Sequence, residues 1–233
     1  MTRATYEQGD ALDFLRGFPD GAVNLVLTDP PYSARTHKGA RSLRAPDAPG
    51  EGASRLTAGI AFDATDLDAL RGMFAECARV TTGWVVSFLD YAHAVALEQH
   101  PPPGLRVLRI GVWVKTNPMP QLSGDRPAQG WEALVYMHRD DVRPTWNGGG
   151  KHGNFVAPIM QGTGHPTAKP LSILETIIER FTSPGDLVID PFMGSGSTLV
   201  AAQNTGRDAH GVDLNPEYVA LAHERLAQQP LFT

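Results

Sequence analysis

Six short apolar runs, separated by stretches of helical periodicity, constrain this chain more than any other feature. They are Asn24–Thr28, Trp84–Leu89, Val107–Val114, Ala133–Met137, Asp186–Asp190 and Ala209–Asp213. Runs that are apolar throughout, with no alternation, are what strands covered on both faces look like. Leu67, Leu70, Met73, Phe74 and Cys77 make one helical face between them, and Leu174, Ile177, Ile178 and Phe181 make another. A last helix starts at Asn215 as N-cap with Pro216 in its first turn, then continues through Tyr218, Leu221, Ala222 and Leu226. Strands alternating with helices predict an α/β fold on a mostly parallel sheet.

At 233 residues and 42% hydrophobic, the chain can bury a large core, and it is expected to be a single domain over 1–233. With 24 glycines and 19 prolines it is rich in loops. Cys77 stands alone, so a disulfide scaffold is excluded. The first twenty residues include Arg3, Glu7, Asp10, Asp13, Arg16 and Asp20, which is unlike a secretory signal. No run of about 18 apolar residues exists to span a membrane, and a cytoplasmic location is the expectation. The net charge of −5 argues against a nucleic-acid partner only at first sight. Residues 171–233 carry eight acidic and three basic side chains, so the whole excess lies there. Association with phosphate follows the local field and not the total.

Two segments have no period. Residues 33–60 carry Arg35, Lys38, Arg41, Arg44 and Arg55 against Asp47 and Glu51, and are expected to form a basic, mobile loop. Residues 140–164 are glycine-rich and hold Trp146, Lys151 and His152.

The chemistry is concentrated where runs end. Asp29-Pro30-Pro31-Tyr32 closes the first run. Two prolines stiffen the backbone and remove two N–H donors, leaving carbonyls free to accept. A carboxylate, a rigid carbonyl and an aromatic ring there make a slot for a flat ring bearing an amine. Asp190-Pro-Phe-Met-Gly-Ser-Gly-Ser-Thr198 is a strand end followed by a glycine loop and a helix. Gly194 and Gly196 allow a ligand close to the backbone. Leu199 stands where a dinucleotide fingerprint needs a third glycine, and no Gly-Lys-Ser/Thr follows, which excludes a P-loop. Asp213, one strand later, can accept from ribose hydroxyls, so a nucleoside without phosphate suits both features. His165-Pro-Thr-Ala-Lys-Pro170 precedes the Leu174 helix, and Asp10 precedes Leu12 and Phe14 near the N-terminus.

In this order, these motifs resemble the S-adenosylmethionine-dependent DNA amino-methyltransferases of the permuted group, whose base-binding tetrapeptide comes before the cofactor loop. Trp113-Val-Lys115 and Glu132 look like the family's intermediate motifs, and the resemblance extends over nearly the whole chain. It implies a Rossmann-like, doubly wound class I methyltransferase fold with a short target-recognition insertion at 140–164. It implies that Asp29, Pro30, Pro31 and Tyr32 hold the target base. It implies a cofactor site made by Phe192, Gly194 and Gly196 with Asp190, Ser195 and Ser197, by Asp213 with Leu214 at the ribose, and by Asp10 with Ala11 at the adenine. Asp29, Thr167 and Lys169 would border the cofactor.

The implied partner is double-stranded DNA, contacted by Arg35, Lys38, Arg41, Arg44, Lys115 and Lys151, with the target base flipped out of the stack. A homodimer and a separate restriction endonuclease are further expectations, and no metal is needed. The Asp form of the tetrapeptide points to adenine N6, with cytosine N4 as the alternative. RNA or protein methylation, or a catalytically silent DNA-binding relative, rank below both. The 140–164 interval is shorter than the family's usual recognition region, so the basic loop at 33–60 is expected to share the reading.

Overall fold

The apolar runs form the interior strands of one sheet. The computed structural model describes residues 2–31, 67–159 and 169–228. In chain order these are β1 (Ala4–Gln8), α1 (Ala11–Arg16), β2 (Val23–Thr28), α2 (Leu67–Val80), β3 (Thr81–Leu89), α3 (Tyr91–Gln99) and β4 (Leu105–Lys115). Then come β5 (Trp131–Arg139), β6 (Phe155–Ala157), α4 (Leu171–Phe181), β7 (Leu187–Asp190), α5 (Ser197–Asn204), β8 (Asp208–Asp213) and α6 (Pro216–Ala227).

The strand order is β1-β8-β7-β2-β3-β5-β4-β6. Every neighbouring pair is parallel except β3·β5 and β4·β5, so β5 alone among the described strands runs against the rest. This fits the expectation of a mostly parallel sheet. Residues 116–130, with Pro118, Pro120, Gly124 and Pro127, supply no helix to carry the chain back across the sheet. A strand that follows without a crossover pairs antiparallel.

Alternate residues of each strand feed two cores. Leu15, Met73, Phe74, Cys77 and Leu97 from α1, α2 and α3 pack with Val85, Val135 and Ile189 on one face. Leu174, Ile177, Leu199 and Ala222 from α4, α5 and α6 pack with Leu27, Val86 and Leu134 on the other. Cys77 is wholly buried and its thiol is pushed far up by burial, as befits a core residue. No helix among the described residues is long and apolar enough to cross a membrane.

Two strands are absent from the six runs. β1 is half-exposed along its length, so it shows no solid apolar run. β6 is only three residues long and lies inside the 140–164 segment, where it pairs with β4 through Trp113↔Phe155 and Val114↔Val156. The basic segment 33–60 lies outside the described residues.

Candidate active site

The strand order reverses between β7 and β2, which pair through Leu25↔Val188 and Val26↔Ile189. Such a switch point opens a crevice outside the carboxyl ends of the strands. Asp190 lies at the end of β7, and Asp29 follows the end of β2. The two ends are stitched together by the Asp190 carboxylate. Its Oδ1 accepts from the Thr28 hydroxyl at 2.9 Å and from the Phe192 N–H at 3.0 Å, while Oδ2 accepts from the Thr198 hydroxyl at 2.7 Å. Burial pushes this carboxyl up to about 7, against the pull of those hydrogen bonds. Asp190 therefore acts from inside, fixing the loop that follows it.

That loop needs its glycines. Gly194 has φ of 51° and Gly196 of 78°, in the left-handed region that side chains avoid. A Cβ on Gly196 would also stand 3.0 Å from the Ala222 Cβ of α6. Ser195 and Ser197 are buried beneath the loop and bonded to Arg225, whose Nη1 donates to both hydroxyls and to the Ser195 carbonyl. At the end of β8 the Asp213 carboxylate accepts from the Gly194 N–H at 3.0 Å and from the Asn215 N–H at 2.8 Å. Its carbonyl accepts from Gly9 N–H, which brings the end of β1 alongside. Asp10 then caps α1, accepting from the Leu12 and Asp13 N–H groups, with Ala11 buried behind it, while Leu214, the residue after Asp213, is exposed.

On the other side of the switch point the site is built from charge. Because β5 runs antiparallel, its first residues meet the last residues of β4, with Trp113 opposite Glu132. Glu132 thus reaches the same edge of the sheet as Asp29. Lys169, just before α4, places its ammonium 2.6 Å from Asp29 Oδ2 and 3.0 Å from Glu132 Oε2. Lys115, the last residue of β4, lies 2.6 Å from the other oxygen, Glu132 Oε1. The Lys169 side chain is 7% exposed and its ammonium sits 5.1 Å over the Phe88 ring. Lys115 lies likewise 5.2 Å over Trp113. Burial by itself lowers the Lys169 pKa, but Asp29 and Glu132 outweigh it and the ammonium is held above its usual value. Burial raises Glu132, and Lys169 with Lys115 more than reverses this. Two cations and two carboxylates alternate in one partly dehydrated chain.

The structure brings together Asp10, Ala11, Asp29, Pro30, Lys169, Asp190, Phe192, Gly194, Ser195, Gly196, Ser197, Asp213 and Leu214 at adjoining strand ends or in the loops that follow them. Lys115, expected at DNA, has its ammonium against Glu132 instead of solvent. Lys151 is exposed in a turn near Asn147, whose side chain donates to the Glu179 and Thr182 carbonyls at the far end of α4 from Lys169. Tyr32, Arg35, Lys38, Arg41, Arg44 and Thr167 lie outside the described residues.

Glu132 was visible in the sequence only as part of a motif. Its physical signal is an acid heading the apolar run Ala133–Met137, which calls for a cation beside it. No group of residues fit to hold a metal occurs among the described residues.

Comparison with known proteins agrees with this geometry. The sequence model of the N6/N4 methyltransferase family, described as DNA methylase, matches residues 143–224. The type II methyltransferase M2.DpnII of Streptococcus pneumoniae is 34% identical over 163 residues, an alignment covering 62% of this chain but only 60% of that relative. The type II methyltransferase M.XycI of Xanthomonas campestris pv. cyanopsidis is 29% identical across 97% of this chain and 88% of its own length. In three dimensions the M1.HpyAVI–SAM complex superposes with a TM-score of 0.69 over 95% of this chain and 99% of that one, at 24% identity, and shares its fold. An Asp-Pro-Pro strand end and a glycine loop meeting at a switch point, together with these likenesses, make the chain similar to the N6/N4 amino-methyltransferases.

Proposed function

We propose that this protein transfers a methyl group from S-adenosylmethionine to the exocyclic N6 amine of adenine in double-stranded DNA. The observation that carries this reading is the pairing of β2 with β7, which sets the Asp29 strand end beside the Asp190 glycine loop. Reactions between two bound groups gain most of their rate from such placement and from fixed charges.

The residues present suit the cofactor. The glycine loop turns through left-handed backbone at Gly194 and Gly196, Asp213 offers carboxylate oxygens at the next strand end, and the loop has no lysine of the kind a phosphate would require. Phe192, Gly194 and Gly196 would hold the methionine portion, Asp213 with Leu214 the ribose, and Asp10 with Ala11 the adenine. Bound there, S-adenosylmethionine supplies an electrophilic methyl group, which the target amine takes as it loses a proton.

The chain's own work is on the base. Asp29 and the Pro30 carbonyl accept hydrogen bonds from the amine and turn its lone pair outward, while Tyr32 stacks on the ring. The proton shed by the amine leaves along its hydrogen bond to Asp29. A ring paired inside a duplex cannot reach this slot, so the target is flipped out. Arg35, Lys38, Arg41 and Arg44 supply phosphate contacts. DNA as substrate is supported by the matching family model, described as DNA methylase, and adenine by the Asp that heads the tetrapeptide.

The test is to incubate the protein with labelled S-adenosylmethionine and unmethylated double-stranded DNA, digest, and identify the labelled nucleoside by mass spectrometry. N6-methyladenine is expected. N4-methylcytosine would keep the chemistry and change the base, and no labelled nucleoside would overturn the reading.

A further inference from the structure

We propose that Lys169 is a positioning residue for Asp29, clamped in turn by Glu132 and Lys115, and not a cofactor contact. The inference rests on the methyltransferase reading above. Its basis is the continuous ion-pair chain from Lys115 through Glu132 and Lys169 to Asp29, with contacts of 2.6, 3.0 and 2.6 Å.

The chain joins four separate stretches of sequence. Asp29 follows β2, Lys115 ends β4, Glu132 opens β5, and Lys169 precedes α4. A carboxylate that must accept from an amine has to be ionised and held at a fixed angle. A buried ammonium beside it favours the ionised form and removes rotational freedom. An ammonium facing Asp29 alone could swing across both carboxylate oxygens and compete with the substrate for them. Shared with Glu132 at 3.0 Å, it is directed at Oδ2, 2.6 Å away, and Lys115 keeps Glu132 from turning away. The aromatic floor of Phe88 and Trp113, whose indole N–H donates to the Ala157 carbonyl at 3.0 Å, fixes where both ammonium groups sit. The four charges sum to zero, so the assembly can stay buried without a counter-ion.

Charge-neutralising variants separate this role from a cofactor contact. Lys169→Met, Glu132→Gln and Lys169→Arg are compared with wild type for single-turnover methyl transfer and, by titration, for S-adenosylhomocysteine affinity. Misplacing a reacting group costs on the order of 100-fold in rate. Lys169→Met is expected to lose about that much in kcat, and Glu132→Gln roughly 10-fold, with S-adenosylhomocysteine Kd within about 2-fold of wild type. Lys169→Arg, which keeps the charge, is expected to recover part of the rate. The double variant Lys169→Met/Glu132→Gln should lose no more than Lys169→Met alone, because Glu132 acts through Lys169.

Should Lys169→Met fail to fold, Glu132→Gln gives the same readout, since it keeps the size of the side chain while its amide nitrogen, a donor, can no longer accept from one of the two lysines. Loss of rate matched by an equal loss of S-adenosylhomocysteine affinity would overturn the proposal and return Lys169 to the cofactor. Retention of wild-type rate in Glu132→Gln would overturn it as well. A wild-type protein that binds S-adenosylhomocysteine yet methylates nothing would remove the methyltransferase reading, and this role with it.

Discussion

The β7–β8 side of the switch point and the β2–β3–β5–β4 side are held by different forces. In the first, the glycine loop and the ends of β1 and β8 are fixed by short-range hydrogen bonds. Gly194 N–H reaches Asp213, Phe192 N–H reaches Asp190, and Gly9 N–H reaches the Asp213 carbonyl. In the second, Asp29 is held by a buried ammonium that answers to Glu132 and, behind it, to Lys115. A cofactor with many polar groups along its length is gripped well by backbone amides and strand-end carboxylates. A single amine that must be oriented for attack calls for one carboxylate at a defined angle, and charge at short range supplies that. Thr28 and Asp190 couple the two sides where they touch.

If the sides are as separate as this, variants should sort by which quantity they damage. Asp29→Ala carries the largest expected effect, a fall in kcat of roughly a thousand-fold, in the range seen when one fixed transition-state partner is removed. Single-turnover kinetics measure it. Asp213→Ala should act on the other side, raising the S-adenosylhomocysteine Kd by about 10- to 100-fold. It removes an acceptor for ligand hydroxyls, and it also leaves the Gly194 and Asn215 N–H groups unpaired. Equal damage to Kd and kcat by both variants would erase the distinction between the sides.

Gly196→Val sharpens the comparison further. Its left-handed backbone and its 3.0 Å approach to Ala222 put the cost at about 1–3 kcal/mol of stability, readable by chemical denaturation. S-adenosylhomocysteine affinity should fall with it, since the loop must shift.

The smallest expected effect concerns pH and the residue that joins the sides. The Asp190 carboxyl titrates near 7 in the folded chain and near about 4 when unfolded. Below about pH 4 both states hold the proton. Between about 4 and 7 only the folded state keeps it, so this group's contribution to stability falls as pH rises through that window and is flat above it. The stability of wild type relative to Asp190→Asn should therefore decline from about pH 4 to pH 7, measured by urea denaturation across that range. A difference that stays constant with pH would mean that Asp190 is ionised throughout.

How far the sequence could be read follows from the same contrast. The glycine loop, Asp213 and the Asp29 tetrapeptide are contiguous motifs at strand ends, so the residues that act together are also neighbours along the chain. The capping role of Asn215 was legible for the same reason. The charge chain was not, because residues 29, 115, 132 and 169 meet only once β5 has turned antiparallel and set Glu132 opposite Trp113. Lys169 was visible as a member of a motif, but its partners were not. Asp190 looked like a ligand contact, yet its carboxylate is 162 residues from Thr28 in sequence and bonded to it inside the fold. The edge strands β1 and β6 were hidden by half-exposure and by shortness, which erase the apolar pattern on which strand recognition depends.

The separation of the two sides is tested most directly by titrating S-adenosylhomocysteine into Asp29→Ala and wild type under identical conditions. Kd values within about 2-fold of one another are expected, while methyl transfer by the variant is lost. A Kd raised 10-fold or more would contradict that separation, because Asp29 would then belong to the cofactor side of the site.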